Sequence, residues 1–368
     1  MTQVEAQVPP VDGAGAEGGL DVRDRRTGQT YQLPIELDAI HAPALGKIKV
    51  QPDDPGLASY DPGFLNTAAC KSAITFIDGE KGILEYRGYP IEQLAGKVAF
   101  LDVAYLLIHG ELPDAAASRA WADAVRRSMS VPQPVVELIW TLPAEAHPMA
   151  VLLAAWEALG TFHPEAVKAI DDPEARANLA PAVIGQIAAL TGLVFRHRTG
   201  RSRELPEPTA DYGGSLLGSL FAEDGTYKPD STLARALDVL LVLHADHEQN
   251  CSTSAVRAVG SSHVEPYSAL AAGIAALYGP LHGGANEAVV RTLHEIGTTD
   301  AVPGLVEDVK AGKRRLMGFG HRVYKSYDPR ARIIKETAMQ VFEVTGRNPR
   351  LDVALAIEKI ALEDSYFV

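Results

Sequence analysis

Two histidines stand in glycine-rich surroundings where an imidazole can meet a ligand. One lies in Gly279-Pro280-Leu281-His282-Gly283-Gly284-Ala285-Asn286, the other in Gly318-Phe319-Gly320-His321-Arg322. Neighbouring glycines remove side-chain bulk, permit positive φ and let a ligand approach main chain and ring together. Imidazole titrates near neutrality, so His282 and His321 could each serve as general acid, general base or neutral hydrogen-bond donor. A single loop histidine is more often an ordinary hydrogen-bonded polar residue. Two such loops within residues 277–330 move the balance toward chemistry.

A third polar group, His244-Ala245-Asp246-His247-Glu248-Gln249-Asn250-Cys251, closes an apolar helical pattern, where unpartnered polar atoms would be costly. His244, His247, Glu248 and Cys251 are all possible metal ligands, but their order departs from the zincin pattern and no metal is expected. A hydrogen-bonded helix end or a site for a polar ligand remains. Lys310, Lys313, Arg314 and Arg315 run up to Gly318 and form either a local anion patch or a solvated helix end.

Helices must position these residues. From Pro90 onward apolar residues recur at three-and-four spacing, which predicts helices over residues 99–109, 115–129, 134–141, 147–159, 173–197, 232–248, 268–277, 285–296, 302–311, 329–345 and 351–363. Strands are expected only near the N-terminus, as one hairpin over residues 20–37 around Thr27-Gly28 and another over residues 72–86 around Asp78-Gly79. The fold class is therefore all-α, since the strand–helix alternation of a parallel sheet is missing. Residues 237–243 and 269–277 are apolar nearly all round, as in a central layer or a subunit interface.

The 368 residues are 46% hydrophobic and 22% charged, an ordinary globular composition with room for one large domain or two. A net charge of -13 argues against a nucleic-acid surface. Residues 1–19 lack an apolar period and read as a flexible tail. No membrane association is expected, because no uninterrupted apolar run reaches about eighteen residues. Cys70 and Cys251 are the two cysteines; each reads as a buried thiol, and a reducing cytoplasmic location is expected.

Together the motifs resemble the citrate synthase family, in its bacterial branch. The resemblance rests on Leu243-His244-Ala245-Asp246-His247-Glu248, on Gly279-Pro280-Leu281-His282-Gly283, and on Met317-Gly318-Phe319-Gly320-His321-Arg322-Val323-Tyr324-Lys325 with Asp328-Pro329-Arg330. Upstream, Tyr60-Asp61-Pro62-Gly63-Phe64 and Ile77-Asp78-Gly79-Glu80-Lys81-Gly82 extend it, so that it runs from about Tyr60 to the end. It implies a two-domain helical fold, large over 20–281 and small over 282–368, in a homodimer, or in a hexamer where dimers assemble further. The implied reaction is the acyl transfer that condenses acetyl-CoA with oxaloacetate to citrate and CoA, at the entry to the tricarboxylic acid cycle. Acetyl-CoA enters as substrate, and no cofactor is implied.

By the family's pattern His282 donates to the thioester carbonyl as the methyl group loses its proton, and His321 protonates the oxaloacetate oxygen. His247 and Arg330 match positions that hold oxaloacetate, and Arg315, Leu316, Met317, Gly318 and Phe319 match the CoA-binding loop. The family's proton-abstracting aspartate follows a segment resembling Ala361-Leu362-Glu363-Asp364-Ser365-Tyr366-Phe367 and has no counterpart by motif, which makes a C-terminally truncated chain the expectation. Asp328 belongs to the Asp328-Pro329-Arg330 motif already accounted for, and Asp352 and Asp364 read as solvent-facing carboxylates on a helix. Three alternatives accompany this reading: a 2-methylcitrate synthase using propionyl-CoA, an inert ligand-binding or subunit-pairing fragment, and a metal-dependent hydrolase on the 244–251 cluster.

Overall fold

The structure, a computed structural model, describes residues 18–64, 66–318, 328–364 and 366–367. His321 and Phe319, and all but the last two residues of the 1–19 tail, lie outside the described residues. Two compact units are distinguished, one ending at Lys71 and the other beginning at Ser72.

In the first unit, β1 (Gly19–Arg23), β2 (Thr30–Glu36) and β3 (Ala39–Ile40) form an antiparallel sheet with Leu20 opposite Leu33. The expected turn at Thr27-Gly28 is present, with Gly28 at φ 76°, and a third short strand joins the hairpin.

The second unit opens on β4 (Thr75–Asp78), β5 (Ile83–Tyr86) and β6 (Tyr89–Pro90), the expected hairpin with an added edge. Helices follow: α1 (Ile91–Leu94), α2 (Phe100–His109), α3 (Ala115–Arg127), α4 (Gln133–Thr141), α5 (Pro148–Gly160), α6 (Pro173–Thr199) and α7 (Tyr212–Phe221). Then come α8 (Ser231–Leu243), α9 (Cys251–Gly260), α10 (Pro266–Tyr278), α11 (Gly284–Ile296), α12 (Val302–Lys310), α13 (Pro329–Thr345) and α14 (Pro349–Glu363). The fold is all-α with small N-terminal sheets. Many starts are written locally: Asp114, Asp172 and Asp230 accept two backbone N–H groups each at the entries of α3, α6 and α8, and Pro occupies the first turn of α5, α6, α10, α13 and α14.

Apolar side chains of α4, α5, α6 and α10 share one core around Trp156, Leu190 and Tyr267, where Trp156 Nε1 donates to the Tyr267 carbonyl at 2.9 Å. A second core joins β5, α1, α2 and α8, and a third joins α2, α3, α6 and α7. By length and composition α6 could cross a membrane, but half of its apolar window is buried, and it also buries Arg196 and Gln186. The buried Arg196 guanidinium donates to the carbonyls of Ser219, Ser202 and Ala222, which makes it a clamp on the end of α7.

Three expectations need correction. The helix expected over 232–248 ends at Leu243, because Asp246 turns its side chain back onto the Glu248 N–H and Asn250 caps the next helix. Helices α7 and α9 were not expected. Gly213, Gly214 and Gly218 weaken the local signal of α7, yet a Cβ at Gly213 would lie 2.3 Å from the Ala234 carbonyl, so glycine is what lets α7 approach α8. Finally, Cys251 is exposed and Cys70 only partly buried, both as free thiols; Cys251 opens α9, a helix that buries no residue in the described chain.

Candidate active site

His282 lies in the turn between α10 and α11. Its backbone N–H donates to the Gly279 carbonyl at 3.0 Å, and its own carbonyl accepts from Ala285 N at 3.0 Å as α11 begins. The glycines here serve close approach and not positive φ: Gly279 and Gly283 have φ of -60° and -61°, while Cβ atoms at Gly283 and Gly284 would come within 2.6 Å of the Leu277 carbonyl and 2.9 Å of the Gly279 carbonyl. The imidazole is half-buried. Its Nε2 sits 2.9 Å from Ser252 Oγ, which also lies 2.9 Å from the Gly273 carbonyl. Ser252 belongs to the first turn of α9; the sequence marks it only as a member of the motif that continues from the 244–251 cluster through Ser252-Thr253, with no role of its own.

The segment leading into α9 is residues 244–250. His244 is exposed, with Nδ1 2.7 Å from the Leu240 carbonyl, and His247 is half-buried within the loop. Burial and then the Asp246 charge raise the Glu248 carboxyl above its usual range. Among the described residues no three histidine, cysteine or carboxylate side chains converge on a point where a metal could sit.

Arg330 reaches the start of this loop from α13. Its Nε and Nη2 lie 3.0 and 2.7 Å from Oδ1 and Oδ2 of Asp328, and Nη1 faces the Leu243 carbonyl at 3.5 Å. Asp328 also caps α13 by accepting the Arg330 N–H. Bidentate pairing of this kind holds the guanidinium plane fixed. Tyr86, fully buried under the end of α8, feels the charges of Arg330, Asp246 and Asp328, and burial pushes its hydroxyl up to about 12.

Of the loop expected to take CoA, Arg315, Leu316, Met317 and Gly318 are described. Gly318 has φ 95°, where glycine is needed, and a Cβ there would meet Val289 of α11 at 3.5 Å. Leu316 is buried with Val306, Val309, Val353 and Ile357, so its side chain anchors the loop to α12 and α14. Three cations of the basic run are engaged with carboxylates: Lys310 with Asp364, Lys313 with Asp308 at 3.1 Å, and Arg314 with Glu295 at 2.5 Å. Exposed ion pairs of this kind contribute little to stability and leave the run less able to attract phosphate.

The chain is mostly helical, with His282 held against Ser252 at the entry of α11 and Arg330 fixed by Asp328 beside the 244–250 loop, an all-α class of fold. Residues 63–368 match the family described as citrate synthase, C-terminal domain, and the chain belongs to the citrate synthase family of acyltransferases. A citrate synthase of Dictyostelium discoideum is 45% identical over 356 residues, 95% of this chain and 70% of the relative. The glyoxysomal citrate synthase of Cucurbita maxima is 46% identical over 96% of this chain and 70% of its own length. A solved ternary complex of carboxymethyl coenzyme A and oxaloacetate with the citrate synthase of Thermoplasma acidophilum superposes with a TM-score of 0.74, at 32% identity, over 83% of this chain and 79% of that one.

The cytoplasmic expectation is corrected by these relatives, since the plant protein is glyoxysomal and further ones of Dictyostelium discoideum and Arabidopsis thaliana are named peroxisomal. Composition and free thiols do not report an address, because compartments of similar redox poise impose the same packing and short receptor-read signals set the destination.

Proposed function

We propose that this chain carries the citrate synthase chemistry, condensing acetyl-CoA with oxaloacetate and water to give citrate and CoA at the entry to the tricarboxylic acid cycle. The observation that carries the proposal is the continuity of residues 243–252: Arg330 faces the carbonyl at one end, His247 lies within, and Ser252 at the other end touches His282. In this reading Arg330 and His247 hold the oxaloacetate carboxylates and ketone. His282 donates a hydrogen bond to the thioester oxygen while a base takes a methyl proton, so that charge developing on that oxygen is met by a donor already in place. The enol carbon then attacks the ketone carbon, His321 gives a proton to the new alkoxide, and water cleaves the citryl thioester. Residues 315–319 approach CoA through backbone, which suits Gly318 at positive φ.

The base is assigned to none of three aspartates. Asp328 is committed to Arg330, Asp352 accepts from Arg347 Nε at 2.9 Å, and Asp364 pairs with Lys310, whose ammonium holds that carboxyl below its usual range. A small domain over 282–368 is supported by an apolar cluster built entirely from residues 293–367, among them Val302, Leu305, Val353 and Ile357. Homodimerisation is supported by Leu281, Val290, Leu277 and Tyr278, which expose 80%, 52%, 43% and 41% of their surface along the α10–α11 corner.

The test measures free CoA thiol released from acetyl-CoA with oxaloacetate, with calorimetric titration of oxaloacetate alongside. Oxaloacetate binding that survives His282→Ala but not Arg330→Met, and thiol release that His282→Ala abolishes, are the expected results. Thiol release indifferent to His282→Ala would defeat the assignment.

A further inference from the structure

Glu248 adopts φ 52°, a left-handed backbone that a non-glycine residue holds only when its surroundings impose it. The imposing contacts converge on Asp246, two residues earlier. Its Oδ2 accepts the Glu248 N–H at 3.1 Å and the Thr75 hydroxyl of β4 at 2.5 Å. The Tyr86 hydroxyl of β5 donates to the Asp246 carbonyl at 2.9 Å, with the Val242 carbonyl also within reach at 3.2 Å, and it accepts the Asp246 N–H at 3.3 Å. Asp246 is thus gripped through its backbone N–H, its carbonyl and its carboxylate by two residues more than 150 positions away in sequence. His247 is the residue between the gripped Asp246 and the strained Glu248.

We propose that Thr75 and Tyr86, acting through Asp246, are positioning residues that set the His247 loop in its substrate-binding conformation before oxaloacetate arrives. The proposal rests on the reading of His247 as an oxaloacetate ligand. Thr75 is 9% exposed and Tyr86 fully buried, so their hydroxyls are withdrawn from water and need the partners they have. A buried polar network specifies one geometry where an apolar contact would tolerate several. The same phenol lies within the field of Arg330, so the cation and the imidazole proposed for one substrate are referenced to a single buried side chain. A loop so fixed orders nothing further on binding, which raises affinity.

The experiment compares the 368-residue chain with Thr75→Val, which keeps shape and removes the hydroxyl, and with Thr75→Ser, which restores it. Two quantities are read: oxaloacetate affinity by calorimetric titration, and backbone hydrogen exchange of residues 244–250. Thr75→Val should weaken oxaloacetate by about tenfold and speed exchange in that segment, as expected for losing one hydrogen bond to a charged group, and Thr75→Ser should recover both. Should Thr75→Val fail to fold, Asp246→Asn is read in its place, with the same expected losses. Exchange unchanged in the folded variant, or affinity lost by Val and not regained by Ser, overturns the proposal. If the unmodified chain binds no oxaloacetate, the functional reading fails; the exchange comparison then still decides whether Thr75 sets the loop.

Discussion

Ser252 Oγ lies 2.9 Å from both His282 Nε2 and the Gly273 carbonyl, and a hydroxyl has only one proton to give. If that proton goes to Gly273, Nε2 must carry hydrogen, and a neutral His282 has no second N–H for a thioester. If it goes to Nε2, the neutral ring keeps its hydrogen on Nδ1 and can donate. Rotation of one hydroxyl therefore selects the tautomer that the proposed chemistry needs. Ser252→Ala should lower kcat for thiol release by about 10- to 100-fold, within the range of general acid–base contributions, while oxaloacetate affinity stays unchanged. Steady-state kinetics with calorimetry checks this; a change in KM for oxaloacetate alone would contradict it.

Arg330 owes its orientation to Asp328, so removing the carboxylate should act on ligand binding through the guanidinium. Asp328→Ala is expected to weaken oxaloacetate by about tenfold, in keeping with the strength of charge-assisted hydrogen bonds. It also removes the α13 cap, with a loss of about 1 kcal/mol in unfolding free energy. Asp328→Ser, which can still cap but cannot hold the arginine, should recover the stability and not the affinity. Titration calorimetry and urea unfolding separate the two effects.

Asp238 on α8 accepts the Phe100 N–H at the entry of α2, and burial, with Asp211 and Asp102 nearby, raises its carboxyl to about 6. A raised carboxyl means that the folded state holds the proton longer than the unfolded chain, whose value is near 3.8. This group's contribution to stability therefore falls as pH rises between those values, and the penalty is fully present above about 6. Asp238→Asn should stabilise the protein at pH 8 by roughly 1 to 2 kcal/mol, a figure discounted for partial solvation. At pH 4 the difference should shrink. Urea midpoints across that window test the sign.

Gly213 gives the sharpest packing prediction. A methyl at Gly213 meets a backbone carbonyl that cannot rotate away, so Gly213→Ala should destabilise by about 1 to 3 kcal/mol despite its better helix propensity. An unfolding free energy equal to or above that of the parent would show that α7 and α8 can separate at no cost.

Local signals carry much of the fold. Asp114, Asp172 and Asp230 announce helix starts by side-chain reach of two or three residues, and the apolar spacing behind them gives most helices to within a turn. His282, His247 and Arg330 are legible because their motifs are short and contiguous. What escapes is set by distant partners. The local turn of Asp246 onto Glu248 and the Asn250 cap are only part of what stops α8 at Leu243, because other groups that gather Asp246 sit on β4 and β5. Glycines that look helix-breaking in α7 are the condition for its closest contact.

By itself, then, the sequence determined the all-α class, most helix boundaries and the family, since each depends on spacing along the chain, and it supplied the histidines and arginine proposed to bear the chemistry. The tertiary structure decided that Ser252 meets His282 across 30 positions and that Arg330 meets the end of α8 across 87. It also committed Asp328, Asp352 and Asp364 to cations. The reason is physical: a hydrogen bond or ion pair is set by distances of a few ångströms, and only packing the helices brings such partners within reach.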